Sequence, residues 1–188
     1  MTKKIGILGG TFNPIHSGHI ALIRAASFDL SLDEIWIMPT KITYYKNIDI
    51  NYDENKIIKD IEDTISKNSD LNIKLSKFEI ELFNKNRSDL EKYGTNYCIS
   101  ELKKTYNNID FYLILGADSL YNIETWIDFK DLLKNNVIAV GDRKFENKTK
   151  DDLIEHIDYL NKKYNAKIIL LNMDRIDVSS TDIRNINE

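Results

Sequence analysis

Five short runs of branched apolar residues, separated by stretches long enough for helices, constrain the fold of this chain more than anything else in it. The runs are KIGIL (4–8), EIWIM (34–38), FYLIL (111–115), VIAV (137–140) and KIILL (167–171). They are nearly continuous in apolar residues, which is typical of strands that helices cover on both faces of a sheet. The alternation of strand and helix patterns predicts an α/β fold built on a doubly wound parallel sheet.

The segments between these runs complete the pattern. LNIKLSKFEIEL (71–82) alternates apolar and polar residues, which predicts an edge strand or a strand with one exposed face. Helical spacing of apolar residues predicts helices over 18–30, 53–67, 96–106, 126–135 and 150–164. Because 188 residues without a linker, repeat or low-complexity tract suit one domain, we expect a single domain over 1–188.

Composition excludes several classes of partner. The chain has 42% hydrophobic and 30% charged residues, typical of a soluble globular protein, and a net charge of −4. This charge provides no positive field for nucleic acid or for an anionic membrane, so we expect neither as a partner. No apolar run approaches the roughly 20 residues needed to cross a bilayer. The one cysteine, Cys98, cannot form an internal disulfide and is expected in the core, so we predict a cytoplasmic location.

Two glycine-led segments follow predicted strands, GGTFNPIHSGH (9–19) and GADS (116–119). In doubly wound sheets, ligands bind beyond the carboxyl ends of the strands, where the strand order reverses. We expect Gly9 and Gly10 to let the chain turn sharply and Thr11 to supply hydrogen-bond donors. A helix that opens near Gly18 would present N–H groups, with roughly half a positive charge, to a phosphate.

Two of the three histidines of the chain, His16 and His19, lie in the first of these segments. Because they are three residues apart at the start of a helix, they can point the same way. A zinc site is not favoured, since no cysteine and no third ligand lies nearby. The glycine spacing is neither that of a P-loop nor that of a dinucleotide-binding loop. We therefore predict that the segment binds phosphate by another arrangement.

Four segments together resemble a known family. GGTFNPIHSGH resembles the first signature of the T/HxGH nucleotidyltransferases, and VSSTDIR (178–184) is similar to their second signature. Within that superfamily, LDEIWIMPTKITYYK (32–46) and GADSLYNIETW (116–126) resemble segments of the bacterial nicotinate-nucleotide adenylyltransferases. The order and spacing of the four segments are far more specific than any one of them, and they span nearly the whole chain.

The resemblance implies a Rossmann-like nucleotidyltransferase fold and an enzyme of NAD biosynthesis. Enzymes of this family move the AMP part of ATP onto the 5′-phosphate of nicotinate mononucleotide and release pyrophosphate. Attack on the α-phosphorus is direct, so positioning and charge stabilisation provide the rate and no protein nucleophile is needed. Mg²⁺ is expected to bridge the triphosphate and to leave with pyrophosphate, without a dedicated protein metal site.

The resemblance also assigns roles to individual positions. Those implied in catalysis are His16, His19, Lys46 and Arg184. Those implied in ATP binding are Gly9, Gly10, Thr11, Phe12, Gly18, Gly116, Asp118, Ser179, Ser180 and Thr181, with Asp118 suited to accept from ribose hydroxyls. Those implied in binding the acceptor are Thr95, near the nicotinate carboxylate, and Trp126, against the pyridine ring.

Departures from the family pattern lie outside the ATP motifs. Tyr97 stands where the family has an aspartate, and Arg143 is shifted by one position from the arginine of the family's Arg-Pro-Gly segment. These changes affect the expected identity of the acceptor more than the expected nucleotidyl transfer. Two alternatives therefore stay open: another phosphate acceptor, such as nicotinamide mononucleotide, or a nucleotide-binding regulator that has lost turnover. The sequence also leaves open whether the chain forms a homo-oligomer.

Overall fold

The computed structural model describes residues 2–40, 53–85, 94–175 and 177. Its centre is a sheet of parallel strands in the order β3-β2-β1-β4-β5-β6. The strands are β1 (Lys3–Gly10), β2 (Glu34–Pro39), β3 (Ile73–Leu75), β4 (Ile109–Gly116), β5 (Val137–Gly141) and β6 (Lys167–Leu170). Each of the five predicted apolar runs forms one of these strands, which confirms their assignment.

Helices connect the strands. They are α1 (Ser17–Asp29), α2 (Glu54–Lys67), α3 (Phe78–Lys85), α4 (Thr95–Thr105), α5 (Ala117–Tyr121), α6 (Phe129–Asn135) and α7 (Lys150–Tyr164), with a 3₁₀ turn at Ile123–Thr125. Within the described ranges, every helix is too short or too polar to cross a membrane.

The sheet is buried on both faces, which explains why its strands are nearly continuous in apolar residues. Along β1, Ile5 and Ile7 pack into one core cluster and Leu8 packs into another on the opposite face. Along β4, Leu113 belongs to the first cluster and Ile114 to the second. Residues of α4, α6 and α7 close the first cluster, and residues of α1 and α2 close the second. The prediction of a doubly wound parallel sheet is confirmed.

The segment 71–82 is only partly the predicted strand. Its first part forms β3 at the edge of the sheet, but α3 begins at Phe78. The Phe78 N–H donates to the Ser76 hydroxyl (3.4 Å), where the chain changes from strand to helix. Phe78 and Leu82 both pack against the core and are four residues apart. This spacing fits one helix face as well as it fits a period of two, so alternation alone could not distinguish the two structures.

The helix predicted over 126–135 begins three residues late. Trp126 has extended backbone angles (φ −78°, ψ 150°), and Asp128 adopts the left-handed conformation (φ 52°) immediately before α6. The helix predicted over 150–164 is α7, with the same bounds. Cys98 is buried in the core at 4% exposure, as predicted.

Candidate active site

The strand order reverses between β1 and β4, and both glycine-led loops lie at this point. Leu8 pairs with Ile114 in the parallel ladder, and each strand ends two residues later, at Gly10 and at Gly116. The two loops therefore start side by side at the carboxyl edge of the sheet. Ligands of doubly wound sheets bind at this position.

The chain turns after β1 at Asn13 and Pro14, which are joined by a cis peptide bond, and Phe12 just before them has a positive φ. Gly9 and Gly10 lie inside the strand, and none of the glycines in the described ranges has a positive φ, so the expected sharp turn at these glycines is wrong. Phe12 has φ 46° instead, a conformation that costs roughly 1 kcal/mol for a residue with a side chain. Its ring is 1% exposed and would lie 3.2 Å from a Cβ at Gly10. Burial of this ring holds the turn, and Gly10 provides the space for it.

Two histidines cap the start of α1 reciprocally. His16 is the N-cap residue, and its Nδ1 accepts from the Gly18 backbone N–H (3.1 Å). The His19 Nδ1 accepts from the His16 backbone N–H (3.1 Å). This motif is usually formed by serine or threonine together with glutamate. The two histidines therefore have a structural role in capping the helix that their residue type does not indicate. The Gly18 N–H, predicted to meet a phosphate, is occupied by His16 here, and its role in ATP binding stays a prediction.

This capping fixes the protonation of both rings. A neutral imidazole whose Nδ1 accepts a hydrogen bond carries its proton on Nε2, where it can donate. Burial is the main cause that lowers the pKa of His19 to about 3, and the proximity of the His16 ring and of the Arg143 guanidinium lowers it further, so His19 is neutral near pH 7. The two rings lie against each other with centroids 3.8 Å apart, and Phe12 packs edge-on against His19 at 5.1 Å. The site therefore offers oriented, neutral donors, each only 9% exposed.

The loop after β4 presents a charged pair. An Asp118 Oδ2 atom lies 3.3 Å from a guanidinium nitrogen of Arg143, which follows the end of β5 by two residues. The Asp118 side chain is 35% exposed and that of Arg143 16%. The Asp118 Oδ1 atom is buried without a hydrogen-bond partner in the part of the chain that the structure describes. Asp118 does not cap α5, whose N-cap residue Gly116 has no side-chain cap.

Arg143 is the residue that sequence reasoning left out of the site. It contacts Asp118, and its charge contributes to the lowered pKa of His19, so it lies between the two loops. The available signal was its place three residues beyond the predicted strand 137–140, at the same edge of the sheet. Arg143 is shifted by one position from the arginine of the family's Arg-Pro-Gly segment, and its contact with Asp118 is consistent with its substituting for that arginine.

The two predicted acceptor residues belong to neighbouring segments. Thr95 is the first residue of α4, and a Cβ on the preceding Gly94 would lie 2.9 Å from the Ile127 Cβ. Trp126, adjacent to Ile127, is partly buried and packs against the first core cluster. Its backbone N–H donates to the Ile123 carbonyl (3.0 Å), which closes the 3₁₀ turn. The fold thus brings the Thr95 and Trp126 segments together.

The remaining predicted residues lie outside the described ranges: Lys46, Ser179, Ser180, Thr181 and Arg184. The chain that leads toward the last four leaves β6 at the carboxyl edge. A Cβ on Gly141, the last residue of β5, would lie 2.6 Å from the Met173 Sδ atom. This segment therefore passes the end of β5, beside Arg143. Convergence of the second signature with the histidines stays a prediction.

Comparison with known proteins gives consistent results. Residues 7–186 match the family model described as cytidylyltransferase-like. The chain is 36% identical to a probable nicotinate-nucleotide adenylyltransferase of Clostridium botulinum, over 97% of this chain and 84% of that protein. It is 34% identical to a protein of the same description from Lachnoclostridium phytofermentans, over 97% of this chain and 86% of the other.

Solved structures support the fold. The nicotinic acid mononucleotide adenylyltransferase of Plasmodium falciparum, complexed with NaAD, aligns with a TM-score of 0.75 and 21% identity. The same enzyme complexed with APC aligns with a TM-score of 0.72. In both alignments, 97% of this chain and 83% of the other are covered. The family model and the curated relatives show that this chain belongs to the cytidylyltransferase-like family and, within it, to the nicotinate-nucleotide adenylyltransferases.

Proposed function

We propose that this chain transfers AMP from ATP to the 5′-phosphate of nicotinate mononucleotide, forming nicotinate adenine dinucleotide and pyrophosphate. The observation that carries the proposal is the pair of buried, neutral histidines at the point where the strand order reverses, each with its Nδ1 bound to a backbone amide. The curated relatives are described as probable nicotinate-nucleotide adenylyltransferases, which indicates that these donors assist the transfer of an adenylyl group to nicotinate mononucleotide.

The reaction needs donors where negative charge develops. A phosphate oxygen of the acceptor forms a bond to the α-phosphorus of ATP, and the bond from that phosphorus to the bridging oxygen of pyrophosphate breaks. Negative charge then grows on the bridging and non-bridging oxygens, where His16 and His19 donate through Nε2–H. Their orientation is set before substrate binds, so no donor has to reorganise during the reaction. Two imidazolium rings at 3.8 Å would repel each other, which favours the neutral pair.

Charged side chains hold the nucleotide around these donors. Asp118 accepts from ribose hydroxyls, and its buried Oδ1 atom is the natural acceptor for one of them. When Asp118 turns to the ribose, the guanidinium of Arg143 can pair with phosphate as a planar fork. Lys46 and Arg184 are expected to balance the charge of the two phosphate groups that react. Ser179, Ser180 and Thr181 are expected to cap a second helix start at the triphosphate.

The acceptor lies on the side of Thr95 and Trp126. The indole of Trp126 packs against the pyridine ring, and the Thr95 hydroxyl donates to the nicotinate carboxylate. A carboxylate only accepts hydrogen bonds, whereas an amide also donates, so a site made of donors distinguishes the acid from the amide. The contact of Gly94 with Ile127 couples the two sides of this site.

Mg²⁺ is proposed to enter with ATP as part of the substrate. In the ranges that the structure describes, no group of three His, Cys, Asp or Glu residues could hold a metal ion. The ligands we expect are the triphosphate oxygens, because Mg²⁺ prefers hard oxygen ligands and is commonly held by substrate phosphates. A cytoplasmic location, in line with the single cysteine, belongs to the same proposal.

An acceptor panel tests the proposal. Purified protein is incubated with ATP and Mg²⁺ and with nicotinate mononucleotide, nicotinamide mononucleotide, phosphopantetheine or a sugar phosphate, and pyrophosphate and the dinucleotide product are measured. Release with nicotinate mononucleotide well above that with the other compounds supports the proposal. Preference for another acceptor would mean that the chain transfers AMP from ATP but that nicotinate mononucleotide is not its acceptor. Tight ATP binding without release in any mixture would identify a regulator.

A further inference from the structure

Helix α7 packs against the segment that carries Asp118 and Trp126. This segment comprises α5, the 3₁₀ turn at Ile123–Thr125 and the start of α6. The contacts join residues 35 or more positions apart in sequence, and they fall on both sides of Trp126. They belong neither to the phosphate site nor to the predicted acceptor contacts.

Glu124, in the 3₁₀ turn, is the centre of these contacts. Its Oε1 atom accepts from the Tyr159 hydroxyl (3.2 Å), from the Lys163 ammonium (3.3 Å) and from the Tyr164 hydroxyl. The Tyr164 hydrogen bond is the largest influence on the pKa of Glu124, which lies below its usual value, so the carboxylate is ionised at neutral pH. Three donors from one helix thus converge on a single oxygen.

Aromatic contacts extend the same interface to either side. His156 stacks on Tyr121 with centroids 4.8 Å apart, and one of its ring nitrogens lies 3.4 Å from the Leu120 carbonyl oxygen. Tyr164 packs edge-on against Phe129 at 5.3 Å. Tyr121 precedes Trp126 by five residues and Phe129 follows it by three, so α7 fixes the backbone before and after the indole.

From this geometry we infer that Glu124 is a positioning residue, which holds Trp126 where the acceptor ring packs against it. The inference rests on the proposed function, in which Trp126 contacts the pyridine ring. The turn that contains Glu124 is closed by the hydrogen bond from the Trp126 N–H to the Ile123 carbonyl. A rotation of that turn would therefore move the indole directly. Since Trp126 is only partly buried, core packing does not fix the whole ring.

A role in stability alone predicts a different result. Glu124 is 34% exposed and Lys163 48% exposed, and ion pairs with this exposure contribute little to stability. The pair between Arg24 and Asp70 is a matched exposed pair away from the acceptor segment. Loss of either pair should have a similar, small effect on thermal unfolding, but only loss of Glu124 should change acceptor binding.

The test compares Glu124→Ala, Glu124→Gln and the control Asp70→Ala. For Glu124→Ala we expect the KM for nicotinate mononucleotide to rise roughly fivefold, with the KM for ATP within about twofold of the wild-type value. Glu124→Gln should recover most of the loss, because its amide oxygen can still accept from both tyrosine hydroxyls. An unchanged acceptor KM in Glu124→Ala, or an equal rise in both KM values, would overturn the inference.

A substrate-independent measurement separates this inference from the proposed function. The chain has two tryptophans, so a Trp36→Phe background leaves Trp126 as the single tryptophan, whose emission is excited selectively at wavelengths that tyrosine does not absorb. In that background, Glu124→Ala should increase acrylamide quenching of Trp126, and Asp70→Ala should not. If the wild-type protein turned over no acceptor but Glu124→Ala still increased the quenching, the role of Glu124 in positioning Trp126 would be supported and the proposed substrate would be wrong. Unchanged quenching would overturn the positioning whatever the activity.

Discussion

The two glycine-led loops at the carboxyl edge of the sheet are built on opposite electrostatic principles. In the loop after β1, His16 and His19 are buried, and their Nδ1 atoms are bound to backbone amides. In the loop after β4, Asp118 is partly exposed and faces the guanidinium of Arg143. The first loop holds neutral groups that are already in place, whereas the second holds charges that compensate each other until a ligand arrives.

This difference suggests a division of labour. Donors that are fixed in advance stabilise developing charge without reorganisation, so their loss should lower kcat. A charged pair that exchanges partners when the nucleotide binds contributes mainly to affinity, so its loss should raise KM. The proposed chemistry therefore belongs mostly to the first loop and nucleotide recognition mostly to the second.

The strongest test of this division is His19→Ala. Loss of one preorganised donor should lower kcat by about 10²–10³ while the KM for ATP changes little. Steady-state kinetics with saturating acceptor measure both values. Arg24→Ala, on the same helix but in an exposed ion pair, is the matched control and should keep wild-type turnover. A near-normal kcat in His19→Ala would show that the histidines serve only as helix caps.

Acidification tests whether the first loop is neutral in the folded state. His19 has a pKa of about 3 when folded and near 6.5 when unfolded, so between these values only the unfolded chain binds the proton. Stability therefore falls as the pH drops through this window, by about 2 kcal/mol between pH 7 and pH 5 from this residue. Urea unfolding at both pH values should show the loss in the wild type and not in His19→Asn, whose side chain does not titrate. Equal pH dependence in the two proteins would mean that His19 is charged in the folded state.

The contrast between the loops also shows what sequence could and could not reveal. The strands were predictable, because burial on both faces leaves continuous apolar runs, and α7 was predictable from its amphipathic spacing. The position of the candidate site was predictable from the glycine-led segments at the ends of β1 and β4. The turn at Phe12 was not predictable, because it depends on where the ring finds space in the folded chain. The reciprocal histidine cap is local, but this motif is usually formed by serine or threonine with glutamate, so the residue types did not indicate it. The contact of Arg143 with Asp118 depends on how two separate loops are placed in the folded chain.

Two glycine substitutions sharpen the comparison of the loops. Among the described residues, the atom nearest to a Cβ at Gly9 would be the Met38 carbonyl oxygen at 4.0 Å, whereas a Cβ at Gly116 would lie 2.5 Å from the Asp118 Oδ1 atom and 3.1 Å from the Arg143 Cδ atom. Gly9→Ala should keep or raise stability by up to about 1 kcal/mol, and any rise in the KM for ATP then reports contact with the nucleotide. Gly116→Ala should destabilise by about 1 kcal/mol, because it separates the charged pair.

Thermal unfolding and ATP titration of both variants give the readout. A destabilised Gly9→Ala would mean that the open space beside β1 is part of the packing rather than a ligand site. If Gly116→Ala were as stable as the wild type, the pair of Asp118 with Arg143 would be looser than its geometry indicates.

The remaining test concerns the carboxylate of the second loop. Asp118→Asn keeps the shape of the side chain but removes its charge, and a hydrogen bond from a ribose hydroxyl to a neutral acceptor is weaker than one to a carboxylate. We expect the KM for ATP to rise about tenfold, which corresponds to about 1.4 kcal/mol, with kcat within about threefold of the wild-type value. Asp128→Asn, in an exposed left-handed position that asparagine tolerates well, is the matched control. A fall in kcat as large as that of His19→Ala, without a rise in KM, would place Asp118 in the chemistry itself, and the division between a catalytic loop and a binding loop would no longer hold.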